Sequence, residues 1–447
     1  MTGSGFVIVD RDVVGNDGLS VVGSPVTTAT VVSQSPDFAF TYNEVTNVFE
    51  AKTGSFVPGE GVFVGFNEMD PNVSFIGTPN TGTVTIPLSH QGSGENGADD
   101  GFNLVANPFT AAIDRTDFIN GNSTLIDGNI WLWSDGGSNT LSGRGGDYIV
   151  VNDMGATAVT DADGVAGAHG SYDLTNDAIN SVQGFFVLAE STADGDDLTF
   201  NADWQITGGN ADANFFRNAD DREERSIVKL AMAGIGENQG VYNDLIVGLD
   251  DGATDGKDFG LDAYKFSGSE FISFYSVNDD KKYAIQALSP PGDEKVEVPL
   301  GFYLAREGAY QIRTVSLQLA DEGMMVYLVD AVTGNEYDLS TTNEITFFYQ
   351  KGVSEDRFSL HFRPSRVTTV DDQFANQLSI VSGDQSGLTL HYDPVTARVI
   401  IHDLQGRRLF AESIDFSRGD PRVALFLASG QAYILQVDDE TIKFKLD

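Results

Sequence analysis

A strand phrase is written twice in this chain. GLSVVGSPVTTA at 18–29 returns eighty-three positions later as GFNLVANPFTAA at 101–112, with Gly, Val, Pro, Thr and Ala repeated. The order around the phrases repeats as well. The first is followed by FAFTYNEVTNVFEA (38–51), FVPGEGVFVGF (56–66) and VSFIGTPNTGTVTIPL (73–88). The second is followed by NIWLWSDG (129–136), INSVQGFFVLAE (179–190) and LTFNADWQITGG (198–209). Each series runs from a Pro-bearing strand to an aromatic strand, then Glu/Gln-Gly before an apolar strand, then a strand closing on Asn/Gly turns. Pro25 and Pro108 each remove a ladder donor and belong at strand ends or edges. Gly61 and Gly184 stand where a tight entry into a buried strand excludes a Cβ. The pattern predicts an internal duplication, units of about 1–97 and 98–217, with an insertion in the second unit around 143–173.

The rest of the chain is strand-like too. From Ser226 about nine longer alternating segments run to RFSLHF at 357–362, enough for a jelly-roll-like sandwich over 218–364. The polar run at 215–226 marks its start, and RPSRVTTVDDQFANQ (363–377) reads as a linker. Seven short strands between 377 and 446 predict a small immunoglobulin-like sandwich over 371–447. Amphipathic helices at period 3.6 are absent from the pattern. The expected fold is therefore all-β: tandem antiparallel β-sandwich domains ending in a seven-stranded immunoglobulin-like one.

Charge narrows the partners. The net charge is −40, distributed as −23 over 1–217, −13 over 218–365 and −4 over 366–447. Such a surface repels phosphate backbones, so nucleic acid is not expected as a partner. With no cysteine, disulfide frameworks and thiol chemistry are excluded. No apolar run approaches the ~18 residues of a membrane helix. The opening MTGSGFVIVDRD lacks the basic and apolar regions of a secretory signal, and we read the sequence as part of a longer precursor.

Catalytic signatures are missing from the sequence. The five histidines (90, 169, 361, 391, 402) lie far apart, and no HExxH, G-x-S-x-G or phosphate-binding loop occurs. We expect no enzyme in this chain. Two constellations carry other chemistry. Asp250, Asp251, Asp255, Asp258 and Asp262 crowd LDDGATDGKDFGLD, where hard oxygens could meet a calcium ion, although not at EF-hand spacing. A smaller candidate is TDADG, with Asp161 and Asp163; solvated turn aspartates explain both runs without metal. Trp131 and Trp133 alternate in WLW and so share one side of a strand, as a core pair or as a platform for sugar rings.

The C-terminal segment resembles the type A C-terminal sorting domain of proteins exported by the type IX secretion system of Bacteroidota. VIIHDLQGRRLF (399–410) and LASGQAYILQVDDETIKFKLD (427–447) carry the likeness, with Asp403, Gly406, Arg407, Gly430, Tyr433 and Lys445 at the family's motif positions. Where that family opens on Pro-Asn-Pro, this chain has DQFANQLSI. GFNLVANPFTAAID, SVQGFFVLAE, NDLIVGLDDGATDGKDFGLDAYKF and EDRFSLHF also look like blocks found upstream of such domains. The resemblance implies export across the outer membrane to the medium or cell surface. It implies as partners the outer-membrane translocon and its shuttle protein, with surface polysaccharide or other glycans as further partners. The expected role is structural or adhesive and non-catalytic; the alternative is an accessory carbohydrate-binding region of a larger secreted hydrolase. No cofactor is expected beyond the calcium option.

Overall fold

The computed structural model describes residues 5–13, 19–27, 30–31, 36–67, 72–91, 100–134, 147–160, 166–171, 177–207, 225–266, 271–291, 294–320, 324–364, 378–384, 387–392, 396–403, 407–417, 419, 421–428, 431–437 and 440–445. The chain is nearly all strand and divides into two compact units, Met1–Pro364 and Ser365–Asp447.

In the larger unit the repeated phrases become two sheets of the same design. The first orders its strands Leu19–Val22, Val62–Gly65, Phe38–Asn43, Val48–Ala51. The second orders Phe102–Ala106, Gly184–Leu188, Ile130–Ser134, Asp147–Asn152, and adds Gly155–Ala156. All these pairings are antiparallel. Each Pro-bearing strand pairs with the strand after Glu/Gln-Gly, which pairs in turn with the aromatic strand.

The two sheets clasp each other through the repeated residues. Val22 bridges to Gln183, and its counterpart Val105 bridges to Glu60. Gly23 N donates to Val182 O at 2.9 Å, and the counterpart Ala106 N donates to Gly59 O at 2.9 Å. Gly23 and Ala106, themselves counterparts, face one another across the local two-fold relation: a Cβ on Gly23 would lie 2.2 Å from that of Ala106. Gly61 and Gly184 are needed for the same approach. A Cβ on Gly61 would meet Val105 O at 2.7 Å, and one on Gly184 would meet a Val21 methyl at 2.4 Å. The repeated glycines thus serve the contact between halves, in addition to strand entry. A further exchange pairs Val84–Pro87 with Asp197–Phe200.

Among the described residues, helix is confined to short pieces. Arg115–Gly121 is capped by Asp114, whose carboxylate accepts from Asp117 N at 3.0 Å. Segment 226–364 forms one eleven-stranded sheet that curls over a core including Leu230, Leu245, Phe274, Phe302, Phe347 and Leu360. A parallel pairing within it joins Tyr242–Leu249 to Lys281–Leu288. The boundary expected near 217 lies inside a compact unit, because Phe102, Trp131 and Phe186 share an apolar cluster with Ile246, Ala263 and Ile285.

The smaller unit has seven described strands in two antiparallel sheets. Leu378–Asp384, Gly387–Tyr392 and Arg422–Ala424 form one; Arg408–Asp415, Thr396–Asp403, Ala432–Val437 and Glu440–Lys445 form the other. A common core holds Leu388, Leu390, Val399, Ile401, Leu427 and Leu435. This is the seven-stranded sandwich expected from the strand count.

Candidate functional site

The aspartate-rich loop after Tyr242–Leu249 is cross-linked by its own carboxylates. Asp250 Oδ1 accepts from Gly252 N at 2.8 Å, while its other oxygen pairs with Arg225. Asp258 accepts from Thr254 N at 2.6 Å and from the Thr254 hydroxyl. Buried Asp262 accepts from Ala287 N and from Asp258 N, both at 2.7 Å. Burial pushes the Asp262 carboxyl up to about 6, with those two N–H donors pulling the other way. Asp251 and Asp255 are exposed. The bonds within the loop are the short-range bonds of turn aspartates, the second reading of this run. Among the described residues no group of three or more acidic or histidine side chains is placed to hold a metal ion. Asp161 and Asp163 lie outside the described residues.

Instead, the loop joins the repeated region to the curled sheet. Gly260 N donates to Asp127 O at 3.0 Å, and Asn129 Nδ2 donates to Asp262 O at 2.7 Å. Lys257 Nζ stands 3.1 Å from the buried Asp127 carboxylate, whose pKa burial raises against the pull of that ammonium. Nearby, Lys229 Nζ lies 3.0 Å from buried Asp244, which also accepts from Ala158 N. Burial raises the Asp244 pKa too.

The tryptophan pair divides. Trp131 has no exposed surface, donates its Nε1 hydrogen to Tyr264 O at 3.2 Å and packs edge-on against Phe102. That corrects the sugar-platform reading for Trp131, because a stacking platform must show a ring face. Trp133 is half-buried, donates to Leu19 O at 3.1 Å, and lines a cleft of about 220 Å³. The cleft lies where strand Leu19–Val22 of one half crosses Leu132–Ser134 and Val182–Gly184 of the other, and Arg11 and Asp12 close it. Arg11 escaped the sequence reading. Its signal was there: in VIVDRDV the inward positions run Val7, Val9, Arg11, Val13, so an arginine takes an apolar slot.

A second constellation resembles a catalytic relay. Ser359 Oγ lies 2.8 Å from His361 Nε2, with Glu297 3.7 Å from Nδ1. Arg363 Nη2 sits 3.2 Å from Nδ1, and a guanidinium only donates, so Nδ1 accepts and Nε2 carries the proton. A base towards Ser359 needs the opposite tautomer. Burial lowers the His361 pKa, which keeps the ring neutral.

In the smaller unit the motif residues meet at one end of the four-stranded sheet. Asp403, buried, accepts from Arg407 N at 2.8 Å and Arg407 Nε at 2.9 Å, while Asp403 N donates to Arg407 O at 3.0 Å. This closes the hairpin that joins Thr396–Asp403 to Arg408–Asp415. Directly across from Asp403 in register is Tyr433. Its hydroxyl accepts from Ala428 N at 2.8 Å, and its ring packs on Phe444 of the last strand. Lys445 is exposed opposite Ala432. Gly406 and Gly430 lie outside the described residues.

These features define an all-β protein whose larger unit is a clasped pair of repeated sheets fused to a curled sheet. The chain belongs to the family described as "Domain of unknown function (DUF8693)", whose match runs over residues 2–362 and so coincides with the larger unit. No curated protein matches the chain.

Proposed function

We propose that this chain is a non-catalytic, exported β-sandwich protein with a structural or adhesive role at the cell surface, and that its C-terminal unit is the export address. The supporting observation is that the Asp403–Arg407 hairpin and Tyr433, further along the sequence, come together at one end of a separate compact unit. An address read by a type IX translocon and its shuttle protein should be a self-contained body. This one has its own core and a net charge of −4, against −36 for residues 1–364.

The test is a secreted reporter fused to residues 366–447 in a type IX-competent cell. The fusion should reach the medium or surface. Removing 440–447, which takes the last strand and bares the Ala432–Val437 edge, should hold it in the periplasm. Secretion of the truncated fusion, or equal secretion from cells lacking the translocon, would overturn the assignment.

A further inference from the structure

We infer that the cleft beside Trp133 binds a small hydroxylated carboxylate, a sugar acid or an open-chain hydroxy acid. This rests on the two-fold comparison inside the larger unit and is independent of any role for the C-terminal unit.

Glu60 and Gln183 are counterparts, and their backbones are held alike. Glu60 N donates to Val57 O at 3.1 Å, and Val57 N donates to Glu60 Oε2 at 3.3 Å. Gln183 N donates to Asn180 O at 3.2 Å, and Asn180 N donates to Gln183 Oε1 at 2.9 Å. The two then differ. Lys52 Nζ, 2.6 Å away, satisfies the Glu60 carboxylate, whereas the Gln183 amide NH₂ has no partner among the described residues and its residue lines the cleft. One half has an acceptor that has found its cation; the other has an amide donor with no acceptor among the described residues.

Arg11 presents more donors. It points inward in line with Val7 and Val9, is half-buried, and makes no ion pair among the described residues, in a chain with 66 acidic residues against 26 basic. A half-buried guanidinium that meets no carboxylate among the described residues favours an anion beside it. A carboxylate matches its fork geometry.

Backbone strain marks the same wall. The repeat requires the left-handed conformation at the residue before Glu60 and Gln183. The first half uses Gly59 at φ +90°, and the second holds Val182 there at φ +69°. A β-branched residue is a genuine outlier in that region, and such strain concentrates at ligand sites. Trp133 and Val21 provide apolar wall. A cleft of about 220 Å³ sits below the usual ~300–1,000 Å³ of ligand pockets, so a single small molecule fits better than a chain of sugars.

The experiment is calorimetric titration of the full chain with glucuronate, gluconate and glucose. Glucuronate or gluconate should bind saturably at one site, and whichever is tighter decides between ring and open-chain acid. Glucose should bind at least about tenfold more weakly, and Arg11→Ala should weaken the acid by about tenfold or more. Gln183→Glu, which turns a donor into a second carboxylate, should do likewise, while Arg11→Lys should retain part of the affinity. Thermal melts check that each variant is folded. Absence of saturable binding by either acid, equal binding of glucose, or binding that survives Arg11→Ala in a folded protein would each overturn the inference.

Discussion

Single atoms decide several features of this molecule. Gly23 is one example, since a methyl there would overlap Ala106 Cβ at 2.2 Å and Glu60 O at 2.8 Å, both on the clasp. Gly23→Ala should lower unfolding free energy by about 1–3 kcal/mol, as overpacking does; an unchanged denaturant midpoint would show that the halves can shift apart. Lys229→Met should cost more, about 3–5 kcal/mol, because it strands buried Asp244. Adding Asp244→Asn to it should recover much of the loss, a double-mutant cycle that separates the pair from its desolvation. At this scale the sequence was only partly legible. The repeated glycines were visible, but their partner surfaces were not, because close approach between segments eighty residues apart leaves no local periodicity. Arg11 was visible as an arginine in a valine alternation and unreadable as a cleft wall.

At the scale of elements, alternation of apolar residues announced the strands well. It announced loops poorly. The 250–262 loop reads like a ligand cluster because aspartate serves metal binding, Asx turns and interface hydrogen bonds equally. Only the positions of Gly252 N, Thr254 N and Ala287 N show where these oxygens are committed. One consequence is a pH signature. The Asp262 carboxyl titrates at about 6 when folded and near 3.9 when unfolded. The folded state therefore takes up the proton first, and this residue's penalty on stability is relieved as pH falls from about 7 towards 4. Melting temperatures across that window should show wild type gaining on Asp262→Asn as pH drops; a parallel pair of curves would mean that Asp262 does not titrate there. In the smaller unit, Asp403→Ala removes two bonds to Arg407 and should cost about 1–3 kcal/mol. It should open the hairpin next to Tyr433, read as faster amide exchange at Arg407.

For the whole molecule, the two compact units and the segment 365–377 between their described parts set the expectation for proteolysis. A limited digest should first cut between Phe362 and Leu378 and leave a resistant fragment of about 360 residues. Separation of 1–217 from 218–364 as two independently folded fragments would contradict the core shared by Trp131 and Ile285. The charge split adds a second observable: the larger unit, at −36, should melt higher as salt rises from about 10 to 150 mM, while the smaller should hardly respond. All-β character and the seven-stranded end followed from turn spacing and strand count. The fusion of 1–217 with 218–364 into one body did not, since a shared core is a property of surfaces that meet and not of either sequence alone.

The clasp also dictates an order of events during synthesis. Residue 22 cannot meet its bridging partner until residue 183 has left the ribosome, so for some hundred and sixty residues of elongation the first half waits with the Leu19–Val22 edge uncovered. Waiting edges invite a wrong neighbour, and the nearest available one is the same strand on another nascent chain. Two such chains would find in each other the geometry that each later completes alone. Either half expressed by itself should therefore come out of the cell as a symmetric dimer or as an aggregate, but not as a monomer.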